Sequence, residues 1–75
     1  MLTTLRQILE GKNNVFIKEY VPYYDGLIFV GGCYYADKNL MSIDGSFFVL
    51  DLVINAYDWK DANTLMIVRE RNDNW

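Results

Sequence analysis

Apolar residues along this chain follow two periodicities, and the switch between them comes early. Leu5, Ile8 and Leu9 stand at i, i+3 and i+4, which places them on one face of a helix. Thr3 or Thr4 is positioned to cap its start, and Gly11 stands just past its end with Lys12 following. The spacing predicts a helix over residues 3–11, too short to hold in water alone and so packed on a sheet by that stripe. From residue 15 the period becomes two. Val15 to Tyr20 alternates, with Val15 and Ile17 on one side and Phe16, Lys18 and Tyr20 on the other. Pro22 has no N–H to give a ladder and is expected to end the run.

Turn signals then divide the chain at short intervals. Asp25-Gly26 is one, and Leu27 to Tyr35 is the next strand. Its Gly31-Gly32 pair predicts a bulge, a bend or the close approach of another backbone. Asp37-Lys38-Asn39 turns the chain into a short strand, Leu40 to Ile43, and Asp44-Gly45 turns it again. Ser46 to Leu52 reads equally as a strand or a helical turn. Val53 to Trp59 and Thr64 to Glu70 form a hairpin across the loop Lys60-Asp61-Ala62-Asn63. Asn72 to Trp75 is a polar tail, with Trp75 packed back. The sum is a single α+β domain over residues 1–75, a short N-terminal helix packed on a four- to five-stranded antiparallel sheet in meander order. One helix covers one face of such a sheet and leaves the other bare.

Composition sharpens that last point. The 75 residues are 52% hydrophobic and 16% aromatic, with four Phe, six Tyr and two Trp. A domain this small buries only about 60% of the surface its unfolded chain exposes. Some of those rings must therefore reach the surface or an interface, and a homodimer is one expected remedy. The net charge of −3 argues against direct nucleic-acid binding, which calls for a basic stripe. It suits solubility, and equally docking onto a basic protein groove. No apolar run approaches the roughly 18–20 residues of a membrane span. Met1 to Glu10 carries Arg6 and Glu10 without an apolar h-region, so it does not read as a signal peptide. With one cysteine, Cys33, the expected compartment is a reducing cytoplasm.

Candidate catalytic chemistry is sparse. There is no histidine, which excludes Ser-His and Cys-His pairs and ordinary zinc sites. Cys33 sits in an apolar strand with no basic neighbour in sequence and reads as a small buried hydrophobe. The glycines lack the spacing of a phosphate loop. Asp37, Asp44, Asp51 and Asp58 recur at a fixed interval, but a helical period has no meaning in turns and strand ends. Asp37-Lys38-Asn39 does not continue as a calcium loop. The expectation is therefore a protein that is not an enzyme and carries no metal or cofactor.

Three clusters mix aromatic rings with carboxylates: Tyr23, Tyr24 and Asp25; Tyr34, Tyr35 and Asp37; and Tyr57, Asp58, Trp59 and Asp61. Rings give large contact area at low entropy cost and acids add charge complementarity, so these are the candidate partner-binding residues. The simpler account has the tyrosines capping the rims of a small core. Tyrosines also stack on nucleotide bases, but a phosphate would need basic company that the seven Lys and Arg supply thinly.

The stretch DGSFFVLDLVINAYDWKDANTLMIVRE, Asp44 to Glu70, resembles the closing half of short proteins from phages and mobile elements of Gram-positive bacteria, and the opening TLRQILEG is similar to their beginnings. The shared features are a turn, an acidic-aromatic hairpin and a final strand. What the resemblance implies is an inhibitor of host defence, of which anti-CRISPR proteins are one kind. Such a protein would act in the host cytoplasm by occupying a host protein surface, for instance one with a basic nucleic-acid-binding groove. Carboxylates there can stand in for phosphates, and docking through the aromatic face is equally open. The alternatives are a small-molecule binder, such as a nucleotide-sequestering protein, and an accessory subunit of a larger assembly.

Overall fold

Alternation in the first long strand organises everything around it. The structure, a computed structural model, describes residues 3–43 and 48–68. Its strands are β1 (Thr3–Thr4), β2 (Val15–Tyr23), β3 (Gly26–Ala36), β4 (Asn39–Ile43), β5 (Val53–Ile54), β6 (Ala56–Asp61) and β7 (Thr64–Val68), and its one helix is α1 (Leu5–Ile8). Five strands form a sheet in the order β4-β3-β2-β7-β6, and β1 pairs with β5 in a two-stranded ribbon. Strand accounts for 65% of the structure against a helix of four residues, so the chain is mainly β rather than α+β.

The expected antiparallel meander is also corrected. β2 and β7 run parallel, while β2–β3, β3–β4 and β6–β7 are antiparallel. The last hairpin enters with β7 inward because β7 is the apolar member. Leu65 and Ile67, both fully buried, pair with Ile17 and Glu19 of β2. β6 carries Asp58, Lys60 and Asp61, charges that suit an edge strand.

α1 is one turn, shorter than the helix expected over 3–11, because Thr3 and Thr4 are extended in β1. Thr4 is the N-cap. Its Oγ1 accepts from the Gln7 N–H at 3.4 Å, and Gln7 Oε1 accepts from the Thr4 N–H at 2.9 Å. The next two donors go to a distant segment: Leu5 N–H to Leu52 O at 2.9 Å and Arg6 N–H to Leu50 O at 2.7 Å. Helix-end groups that would otherwise lack partners thus tie the N-terminal segment to residues 50–52. Lys12 N–H then closes on Leu9 O at 2.9 Å, with Gly11 at φ 75 in the left-handed region that glycine adopts freely.

Paired residues of neighbouring strands share a face, so register defines two sides of the sheet. The core side holds Val15, Ile17, Cys33, Tyr35, Leu65 and Ile67, and Leu5, Ile8, Leu9, Phe48 and Ile54 cover it. Phe48 and Ile54, with the half-buried Leu50 and Leu52, lie on the path from the β4 edge to the β6 edge, so this crossover is itself part of the cover. Residues 48–52, left undecided by periodicity, are neither strand nor helix; Leu52 N–H turns back to Val49 O at 3.1 Å. Ser46, Phe47, the Asp44-Gly45 turn, Arg69, Glu70 and the tail Asn72–Trp75 lie outside the described residues.

Pro22 does not end β2, which continues to Tyr23. Phe16 N–H donates to Asn63 O at 2.8 Å, on the β7 side, so alternation sends the Pro22 nitrogen the same way. Among the described residues β7 pairs with β2 only as far as Tyr20, so no donor is missed at Pro22. The Gly31-Gly32 expectation is met twice over. A bulge leaves Val30 unpaired between Phe29 and Gly31, and a Cβ on Gly32 would stand 3.4 Å from the Ile17 backbone oxygen and 3.2 Å from the Phe16 ring. The turns are tighter than expected. Tyr24-Asp25 links β2 to β3, Asp37-Lys38 links β3 to β4, and Ala62-Asn63 links β6 to β7.

Two substitutions test this account by urea unfolding. Ile17→Ala, at the centre of the sheet, is expected to cost about 2–4 kcal/mol, and Thr4→Ala about 1 kcal/mol through the lost cap. A cost below about 1 kcal/mol at Ile17 would contradict the burial of that row.

Candidate functional site

The side of the sheet away from the crossover is apolar and open. β2 presents Phe16, Lys18 and Tyr20 there, β3 presents Leu27, Phe29 and Tyr34, β4 presents Met41 and Ile43, and β7 presents Met66 and Val68. Leu27, Phe29, Met41 and Ile43 are exposed. Tyr20 meets Phe29 edge-on at 5.8 Å between ring centroids. Among the described residues Lys18 makes no ion pair, and Asp58 of β6 lies in the same row beyond Met66.

At one end of this face, where β2 runs out and β6 begins, Tyr20, Leu27, Tyr57, Asp58, Met66 and Val68 line a cleft of about 330 Å³. The hairpin turn Tyr24-Asp25 projects past the same end. Tyr24 is 90% exposed at φ 55, a conformation that costs a bulky residue energy, and its ring meets Tyr23 edge-on at 4.4 Å. One cluster and half of another therefore share one end: Tyr23, Tyr24 and Asp25 with Tyr57 and Asp58.

The remaining candidates lie elsewhere. Tyr34 is half-buried on the open face and donates its hydroxyl to Asn14 Oδ1 at 3.1 Å. Tyr35, its neighbour, is buried in the core. Asp37 stands in the turn at φ 53, its N–H held by Asn13 Oδ1 at 2.9 Å. Trp59 shares a face with Tyr57, as alternation requires, but packs half-buried against the core, with the Lys12 ammonium 4.9 Å from its ring centroid. Asp61 begins the turn at the opposite end of β6 from Tyr57, so these four residues are not gathered at a hairpin tip.

Asp61 Oδ1 accepts from the Asn63 N–H at 2.8 Å, and Asn63 Nδ2 donates to Asn14 O at 3.0 Å. Asn13 and Asn14 thus hold the turns at 37–38 and 62–63 to one end of the sheet. The Asn63 N–H is the main reason the Asp61 carboxyl lies below its usual pKa; slight burial opposes this, and Thr64 adds to it. Because the folded value is the lower one, this contribution is complete above the ordinary carboxylate range and fades as pH falls through the lowered pKa. Beside the 37–38 turn a second, larger concavity of about 680 Å³ is lined by Arg6, Lys12 and Lys38 together with Glu10 and Asp37.

Two features escaped the sequence reading. Glu19 is 2% exposed on the core side, although counting on from Val15 and Ile17 by twos would have placed it there. None of the described buried side-chain polar atoms lacks a hydrogen-bond partner. The exposure of Leu27 and Phe29 beside Met41 and Ile43 was hidden by the bulge at Val30, which shifts the alternation within β3. Cys33 is fully buried, and desolvation raises its thiol pKa, partly offset by a backbone hydrogen bond at Met41. No described helix is long and apolar enough to cross a membrane.

Two measurements follow. Native Cys33 should resist Ellman's reagent at pH 8 and react only as urea unfolds the protein; fast native labelling would contradict its burial. Trp59→Ala should destabilise by about 2–4 kcal/mol, while Tyr57→Ala should change stability by no more than about 0.5 kcal/mol in thermal melts. Compared with known proteins, the chain matches no family model, no curated protein and no solved structure.

Proposed function

We propose that this protein is a non-enzymatic inhibitor of phage or mobile-element type, with anti-CRISPR activity as one form, which occupies a surface of a host protein in the cytoplasm. The observation that carries the binding reading is Tyr24. A tyrosine 90% exposed at φ 55 sits where glycine or asparagine would be easier, so the fold itself gains little from it. With Tyr23, Asp25, Tyr57 and Asp58 at the same end, the ring offers rigid contact area beside a ready cleft.

Aromatic docking is favoured over phosphate mimicry. The described aspartates do not form a row: Asp25 and Asp58 lie toward one end, Asp37 and Asp61 at the other, and Asp51 is paired with Arg6 at 3.2 Å. Their role is to speed encounter with a basic surface. The nucleotide-binding alternative is less well supported. Among the described residues the tyrosine cleft is lined by a carboxylate and no cation, and the cations of the larger concavity share its lining with Glu10 and Asp37. An accessory role in a larger assembly would use the same contact surface.

The test is capture of a host protein with the tagged chain, followed by binding kinetics on the purified pair. Tyr24→Gly should leave the melting temperature unchanged or raise it, by up to about 1 kcal/mol in stability, while binding weakens through faster dissociation. Asp25→Asn with Asp58→Asn should slow association at low salt and matter less at high salt. Unchanged kinetics in Tyr24→Gly and Tyr57→Ala would overturn the assignment of this end as the contact.

A further inference from the structure

We propose that the β2–β3–β4 half of the open face is covered by a second copy of this chain, in a two-fold dimer whose axis runs along β3 between the two sheets. The starting point is where the exposed apolar groups lie. Leu27 at 55%, Phe29 at 49%, Met41 at 51% and Ile43 at 38% are all on β3 and β4, and Phe16, Tyr20 and Tyr34 adjoin them. The open-face positions of these three strands include one cation, Lys18, and no carboxylate.

Symmetry then selects the axis. Stacked sheets lie about 10 Å apart, and an in-plane two-fold axis along a strand lays that strand on its own copy. An axis along β2 would set Lys18 against Lys18. An axis along β7 would leave β3 and β4 uncovered. With the axis along β3, the row Phe16, Tyr34, Met41 meets itself reversed. Phe16 of one copy then lies over Met41 of the other, and Tyr34 over Tyr34. In the next row the Lys18 stem lies over Ile43, and Gly32 on the axis lets the sheets approach.

The area fits a dimer of modest strength. β2 and β3 together are roughly 10 Å wide over roughly 30–35 Å, and β4 adds roughly 5 Å along its short length, about 400 Å² in projection against the ~800 Å² per partner of a standard interface. Dimerisation is therefore expected in the micromolar range, and because each copy carries −3 it should tighten as salt rises. β6 with Tyr57 and Asp58 stays outside this interface, whereas the cleft shares Tyr20 and Leu27 with it and the Tyr24 turn lies at one end of the axis, so substitutions on β6 tell the host contact from the dimer.

Sedimentation equilibrium on the purified full chain, from about 10 µM to about 1 mM, should show a monomer–dimer equilibrium. Met41→Glu and Phe29→Glu, both at exposed positions, should each weaken it at least ~10-fold with unchanged circular dichroism and melting. Tyr57→Ala, on β6, should not affect it. In a Cys33→Ser background, Phe29→Cys next to the axis should be linked to its own copy by a short bismaleimide, and Asp58→Cys should not. A monomer throughout the range would overturn the proposal. So would a dimer that survives both glutamates in folded protein, or cross-linking at residue 58 and not at 29.

Discussion

The parallel ladder between β2 and β7 is the constraint on which the other elements depend. Parallel neighbours cannot be joined by a tight turn, so the chain between them has to travel. Here it travels out through β3 and β4 to one edge, back across the core side, and in again from the other edge as the β6–β7 hairpin. The crossing supplies Phe48, Leu50, Leu52 and Ile54 to the core. A helix of one turn could not cover that side. Covering it falls to the crossover, and α1 is held in place by giving two N–H groups to the crossover's carbonyls.

This explains what could be read from the sequence and what could not. Local chemistry was legible: the Thr4 cap, the alternation of β2, the strands flanking Gly31-Gly32, and a hairpin near residue 62. Each depends on residues within a few positions of one another. Strand order was not legible, because it was decided by comparing β6 with β7 as neighbours for β2, and that comparison is non-local. Pro22 misled for a related reason. Its missing N–H matters only if a strand stands on that side, and periodicity carries no record of which flank is occupied.

The candidate site shows the same division. All three aromatic and acidic clusters were visible, but only register separates them by location and burial. Tyr35 and Trp59 pack against the core; Tyr57 shares their side of the sheet but stays exposed at the far end of β6, where it meets the end of β2 with Tyr23, Tyr24, Asp25 and Asp58 because β2 and β6 run antiparallel with β7 between them. Trp59 illustrates how an edge strand can serve stability. Lys12 lies over its outer ring face while the ring's other contacts are in the core, a cation–π arrangement worth about 0.5–1 kcal/mol at an exposed site.

What remains is why the uncovered side is apolar at all. An antiparallel sheet solvated on one face ordinarily alternates apolar-in with polar-out, since polar residues there cost the core nothing. Met41, Ile43, Leu27 and Phe29 point away from Ile17, Cys33 and Leu65, and each is more than a third exposed. Threonine or lysine at these positions would leave the core packing intact and lower the risk of edge-to-edge aggregation. Their apolar character therefore finds no explanation in the stability of the single chain. The same holds for Tyr24, where the left-handed backbone would be relieved by glycine. Both features act against the isolated monomer, and a second surface that desolvates the exposed side chains, as proposed above, would restore the balance.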